Sequence, residues 1–162
     1  MGLIHKVIYS QQVMGFAFNR FKKLMTPVHS LSKIVSMYRN LLLIGIGSFI
    51  GGISRYLLQQ FVQNNYPSTI PYGTLIVNII GCFIIGLVYE LSGKGSLLSP
   101  EVRLFIATGI CGGFTTFSSF AYENVSMVLD GEFFYALLYI LMSVAIGFGA
   151  VHAGILFIKL IF

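Results

Sequence analysis

Charge is what this sequence has least of. Only 9% of its 162 residues are Asp, Glu, Lys or Arg, against about 25% in a soluble domain, so a globular surface bathed in water is excluded. Acids number five, and none precedes Glu90. Tryptophan is absent, prolines number four and cysteines two. Cys82 and Cys111 lie in apolar runs with no CxxC spacing, which leaves them as small apolar residues rather than a redox or zinc pair. What is abundant is hydrophobic: 56% of the chain, with fifteen Phe, nine Tyr and eighteen Gly, at a mean hydropathy of +0.86. Glycine at that frequency suits a helical membrane protein, where small residues let backbones approach closely.

The formal charge of +5 is unevenly placed. Lys6, Arg20, Lys22, Lys23, Lys33 and Arg39 stand in residues 1–40 without one acid, whereas residues 41–162 hold four bases against five acids. Bases confined to a tail beside an apolar block point to anionic lipid headgroups, and no nucleic-acid partner is expected. Residues 1–36 alternate aromatic, aliphatic and basic side chains without an apolar run of spanning length. They lack the A-x-A pattern of a cleaved secretory signal, and Lys6 stands where a myristoylation motif needs Ser or Thr. Three readings stay open for this tail: an interfacial helix, an acid-free targeting segment, or sequence upstream of a start at Met37. Residues 37–162 form the membrane domain.

Crossing about 30 Å of hydrocarbon takes about 20 apolar residues. Four runs qualify, at about 40–62, 72–91, 102–129 and 133–162, joined by residues 63–71 with two prolines, 92–100 with two glycines, and the turn Asp130-Gly131-Glu132. The fold class is therefore an all-α, multi-pass protein of the cell membrane with four transmembrane helices and both termini on one side. Lys94, Arg103, Lys159 and the basic tail collect on that side against Arg55 towards the other, a bias that favours insertion with the termini inside.

The third run carries the polar chemistry, in Gly109-Ile-Cys-Gly-Gly-Phe-Thr-Thr-Phe-Ser-Ser-Phe120. Paired glycines and β-branched threonines weaken a helix, and unwound backbone at membrane depth needs protein or a water-filled cavity around it. A break is expected between Gly112 and Thr116, freeing carbonyls for a cation and presenting the N-terminus of a half-helix near Thr116 to an anion. The alternative is an unbroken small-residue crossing whose hydroxyls bond their own backbone. Arg55, in the first run, either lines a polar vestibule or snorkels to the headgroups. Asn78 offers an amide in hydrocarbon, to a ligand or to another helix. Phe114, Phe117 and Phe120, at spacings of three, read as one helix face whose ring edges carry partial positive charge, with Ser118 and Ser119 beside them. Tyr139 and Ser143 share a face of the fourth run at i, i+4. Glu123 is the one acid well inside a run, so anion passage fits better than cation export.

Together these residues resemble the fluoride channel family called Fluc or CrcB. The resemblance covers residues 37–162 and rests on Gly51-Gly-Ile-Ser-Arg55, Tyr72-Gly-Thr-Leu-Ile-Val-Asn78-Ile-Ile-Gly81 and Gly112-Gly-Phe-Thr-Thr-Phe-Ser-Ser-Phe120. It implies an antiparallel dimer, of two copies or with an oppositely inserted paralogue, with a fluoride pathway on each side of the interface. Asn78 matches the pore asparagine, and Phe117 and Phe120 match the pore phenylalanines. Gly112 and Thr115 match positions whose carbonyls hold a structural sodium ion between subunits. Ser118 and Ser143 match polar-track hydroxyls, Tyr139 an aromatic position near them, and Arg55 the vestibule arginine. Ala121 stands where some members carry Ser, and Gly147 where a hydroxyl residue is frequent, so the track is shorter here.

The activity this implies is passive, uncoupled fluoride permeation that lowers cytoplasmic fluoride, with no bond made or broken and so no enzyme. One rival is a proton-coupled fluoride or small-ion transporter using Glu123. A second is an intramembrane enzyme with a nucleophile among Thr115–Ser119, which lacks an evident histidine partner because His5 and His29 are in the tail and His152 is late in the fourth run. A third is a structural subunit without transport.

Overall fold

A computed structural model describes the backbone of residues 2–94 and 97–162 and, within those ranges, the side chains of Met14, Arg20 and every residue from 31 onward. The elements are α1 (Gly2–Asn65), α2 (Tyr72–Gly93), α3 (Pro100–Arg103), a π-helical segment (Leu104–Cys111), α4 (Gly112–Phe114), α5 (Phe117–Leu129) and α6 (Phe133–Ile161). The chain divides into two units, residues 1–39 and 40–162. The first is helical from Gly2, with Met14, Arg20, Leu31, Val35 and Met37 exposed. The side chains of His5, Lys6, Lys22, Lys23 and His29 lie outside the described residues, and with them the three readings of the tail.

Among the described residues, four stretches are long and apolar enough to cross a membrane: Leu31–Asn65, Tyr72–Gly93, Pro100–Leu129 and Phe133–Ile161. They match the expected runs, the first starting earlier, and make this an all-helical multi-pass membrane protein. Large apolar side chains such as Phe61, Phe148 and Leu160 are exposed along them, as a lipid-facing surface requires.

Local chemistry sets the boundaries. Ser99 caps α3 by accepting a hydrogen bond from the Val102 N–H at 3.3 Å, with Pro100 at the first helical position. At the other end of the third span the Gly131 N–H donates to the Val128 carbonyl at 3.2 Å and the Glu132 N–H to the Met127 carbonyl at 2.8 Å. That pair is a Schellman closure, and it holds Gly131 at a φ of +84°. A side chain there costs about 1–2 kcal/mol, so Gly131→Ala should lower the unfolding midpoint in detergent. Gly45→Ala, where nothing lies within 4 Å of an added Cβ, should not.

Two glycine junctions hold residues 40–162 together. α2 packs chiefly on α6, where a Cβ on Gly86 would strike the Val151 carbonyl and one on Gly154 the Phe83 carbonyl. The second joins α1 to the third span. A Cβ on Gly47 would stand 2.8 Å from the Gly109 Cα, one on Gly51 would strike the Ile110 carbonyl, and one on Gly113 the Ser48 carbonyl. The Ser48 hydroxyl completes this contact by donating to the Gly109 carbonyl at 3.3 Å. The third span meets α1 through its π-helical stretch, whose wider turn the sequence did not announce. Beyond these junctions a small core gathers Ile70, Leu75, Met127, Ala136 and Tyr139.

Candidate functional site

The third span is interrupted where glycines and threonines meet. Thr115 (φ −83°, ψ 157°) and Thr116 (φ −148°, ψ 120°) are extended between α4 and α5. An interruption deprives the Thr116 N–H of the Gly112 carbonyl and the Phe117 N–H of the Gly113 carbonyl, the partners a continuous α-helix would supply. Orphaned groups at membrane depth need protein partners or a water-filled cavity.

Side chains named in the sequence do this for the Thr116 N–H and the Gly113 carbonyl. Asn78 uses both ends of its amide: the Thr116 N–H donates to Oδ1 at 2.9 Å, and Nδ2 donates to the Thr116 carbonyl at 3.1 Å. Arg55 reaches from α1 and donates through Nε to the Gly113 carbonyl at 3.1 Å. Thr116 then caps α5, its Oγ1 accepting from the Ser119 N–H at 3.2 Å and lying 3.2 Å from the Ser118 hydroxyl. Thr115 instead bonds its own helix, Oγ1 donating to the Cys111 carbonyl at 2.9 Å. The alternative of hydroxyls turned onto their own backbone thus holds for Thr115, while the break itself is real.

Two clefts adjoin the break. One, of about 590 Å³, is lined among others by Gln59, Thr74, Ser118, Ser119, Tyr122 and Glu123. The other, of about 290 Å³, is lined among others by Asn78, Thr115, Thr116 and Phe117. Between α5 and α6 the Phe120 ring lies 5.0 Å from the Tyr139 ring, and within α5 it lies 5.9 Å from the Phe117 ring. Phe117 is 79% exposed, so this side of the chain is open.

Tyr139 is fully buried, and its hydroxyl donates to Glu123 Oε2 at 2.8 Å. Thr74, also buried, donates to Glu123 Oε1 at 2.6 Å and accepts from Gln59 Nε2 at 2.9 Å. The Ser143 hydroxyl is buried with no hydrogen-bond partner among the described residues. Asn78 and Phe117 therefore share one cleft and Ser118 lines the other, with Tyr139 and Phe120 in ring contact and Arg55 at the break. Arg55 is not among the residues lining the larger cleft.

One expectation is corrected. Phe114 does not share the face of Phe117 and Phe120: it precedes the extended residues, is buried, and sits against Gly81. Helical spacing cannot be carried across a break. Gln59 and Thr74 were not singled out in the sequence, and Glu123 was read alone. The signal available was spacing, since Thr74 lies four residues before Asn78, and Glu123 three after Phe120, each on the same helix face.

Comparison with known proteins finds relatives along most of the chain. A family model described as CrcB-like protein, Camphor Resistance (CrcB), matches residues 42–155. A protein of Chlorobium phaeobacteroides (strain BS1) named fluoride-specific ion channel FluC is 48% identical over 126 residues, covering 76% of this chain and 95% of that protein. Proteins of the same name from Leptospira interrogans serovar Lai and Chlorobaculum tepidum are 45% and 44% identical, over 75% of this chain and 95% and 96% of theirs.

Proposed function

This chain belongs to the CrcB family, and we propose that it is a fluoride-selective channel of the cell membrane, exporting fluoride passively along its gradient. The observation that carries the mechanism is the pairing of Asn78 with both backbone groups of Thr116. It holds the break open without spending the second N–H of the amide, and Asn78 lines a cleft with Phe117. A small, strongly hydrated anion needs replacement donors at each step. These are the hydroxyls of Ser118 and Ser143, the second Asn78 N–H, and the positive edges of Phe117 and Phe120. Tyr139 backs Phe120 and is fixed by Glu123. Arg55 contributes positive charge beside the break. A narrow, fixed set of donors rejects chloride by size.

The exposure of Phe117 supports completion of the pathway by a second, oppositely inserted subunit, a copy or a paralogue. The same break suits a structural sodium ion. Gly112 has lost the Thr116 N–H, Thr115 is extended, and Gly112 is exposed with nothing within 4 Å of an added Cβ. Carbonyls freed in unwound helices are the usual ligands of sodium in membranes. The carbonyls of Gly112 and Thr115 would hold it, and the ion would balance carbonyl dipoles where two subunits cross.

A second reading, a proton-coupled exporter, draws on the carboxylate of Glu123 within the third span. Efflux from liposomes separates the two. Fluoride release is expected to persist with the proton gradient clamped, in wild type and in Glu123→Gln alike, and chloride release to stay at the level of empty vesicles. Fluoride release that vanishes when the gradient is clamped would establish coupling instead.

A further inference from the structure

The larger cleft holds a side chain that the permeation pathway above does not use. Gln59 reaches it from α1 because Gly73 has no side chain. A Cβ on Gly73 would stand 3.2 Å from the Gln59 Cα and from its carbonyl oxygen. From there Nε2 donates to Thr74, whose single proton goes to Glu123, and Tyr139 closes the chain from the other side. Every hydrogen bond in the series points towards one carboxylate. A hydroxyl that accepts becomes a better donor, so such a series strengthens along its length.

We infer that Gln59 is a positioning residue for permeation: its amide commits the Thr74 proton to Glu123 and so keeps that carboxylate against the wall of the larger cleft. An anion in the cleft then meets the donors of Ser118 and Ser119, which line it. Without the amide donor, Thr74 is free to turn its proton elsewhere, and Glu123 keeps one fixed partner in place of two. A carboxylate released into the cleft opposes an entering anion. The inference rests on the channel reading above.

Gln59→Leu tests it, because it removes the donor without putting a new charge in the cleft. Fluoride efflux from liposomes, with leak from empty vesicles subtracted, is expected to be up to about tenfold slower than wild type, and the double variant with Thr74→Val should match Thr74→Val alone. A Gln59→Leu protein equal to wild type, or independent, multiplicative losses in the double variant, overturns the inference. Should Gln59→Leu fail to fold, Gln59→Met in the same cycle decides by the same outcomes. Wild-type efflux in the same preparation keeps the two questions apart, because its absence would defeat the channel reading and take this inference with it.

Discussion

Asn78→Asp should abolish most fluoride flux while leaving the protein folded. The substitution keeps the shape of the side chain and the acceptor for the Thr116 N–H, but replaces the donor that meets the Thr116 carbonyl. Two oxygens then face one another across the break. An unpaired carbonyl of this kind costs about 1–3 kcal/mol. A carboxylate also brings negative charge to the cleft shared with Phe117, and a unit charge about 4 Å from the anion opposes it by about 4 kcal/mol at an effective dielectric constant of about 20. The repulsion acts on the permeating anion itself, so flux should fall by at least about 100-fold. Efflux from liposomes with equal protein content measures it, and flux within threefold of wild type would remove Asn78 from the pathway.

The other large effect falls on stability. Gly113→Ala would place a methyl carbon against the Ser48 backbone, in contact with its carbonyl oxygen and 2.9 Å from its Cα. Neither neighbour is a flexible side chain, so the helices must separate. Overpacking of this kind costs about 1–3 kcal/mol, and here it also pulls the Gly113 carbonyl away from Arg55, which adds the loss of a charge-assisted hydrogen bond. The expected result is a collapse in the monodisperse yield from detergent and a lower unfolding midpoint. Gly51→Ala, which meets the Ile110 carbonyl on the same contact, should behave alike. Because both variants separate the same two helices, the double substitution should cost less than the two added together. A Gly113→Ala protein as stable as wild type would show that the two helices do not meet there.

The sequence disclosed the spans and the break for one reason: both are local. Apolar length fixed where helices run, Asp130-Gly131-Glu132 spelled the closing turn, and glycines beside threonines marked the interruption. What stayed hidden is what crosses between helices. Asn78 and Arg55 were recognisable as polar residues needing partners, yet those partners are backbone groups 38 and 58 positions away, which no periodicity reveals. The same holds for Gln59, Thr74 and Glu123, which come from three helices. The π-helical stretch Leu104–Cys111 was illegible because its weak helix formers, Thr108 and Gly109 among them, signal a weakened helix but not a wider turn, and its contact with Gly47 and Gly51 lies outside its own sequence. Phe114 was misplaced by extending a helical period through residues that are not helical.

The glycine contact between α1 and the third span also has a thermodynamic consequence. It forms between helices already inserted, so closing it removes almost no apolar surface from water, and its strength comes from dispersion and close backbone contact. The heat-capacity change that bends the stability curve of a soluble protein arises from hydration of apolar surface. This junction contributes little to that term. Cooling, which weakens a core assembled by expelling water, leaves Gly47, Gly51, Gly109 and Gly113 as firmly joined as before.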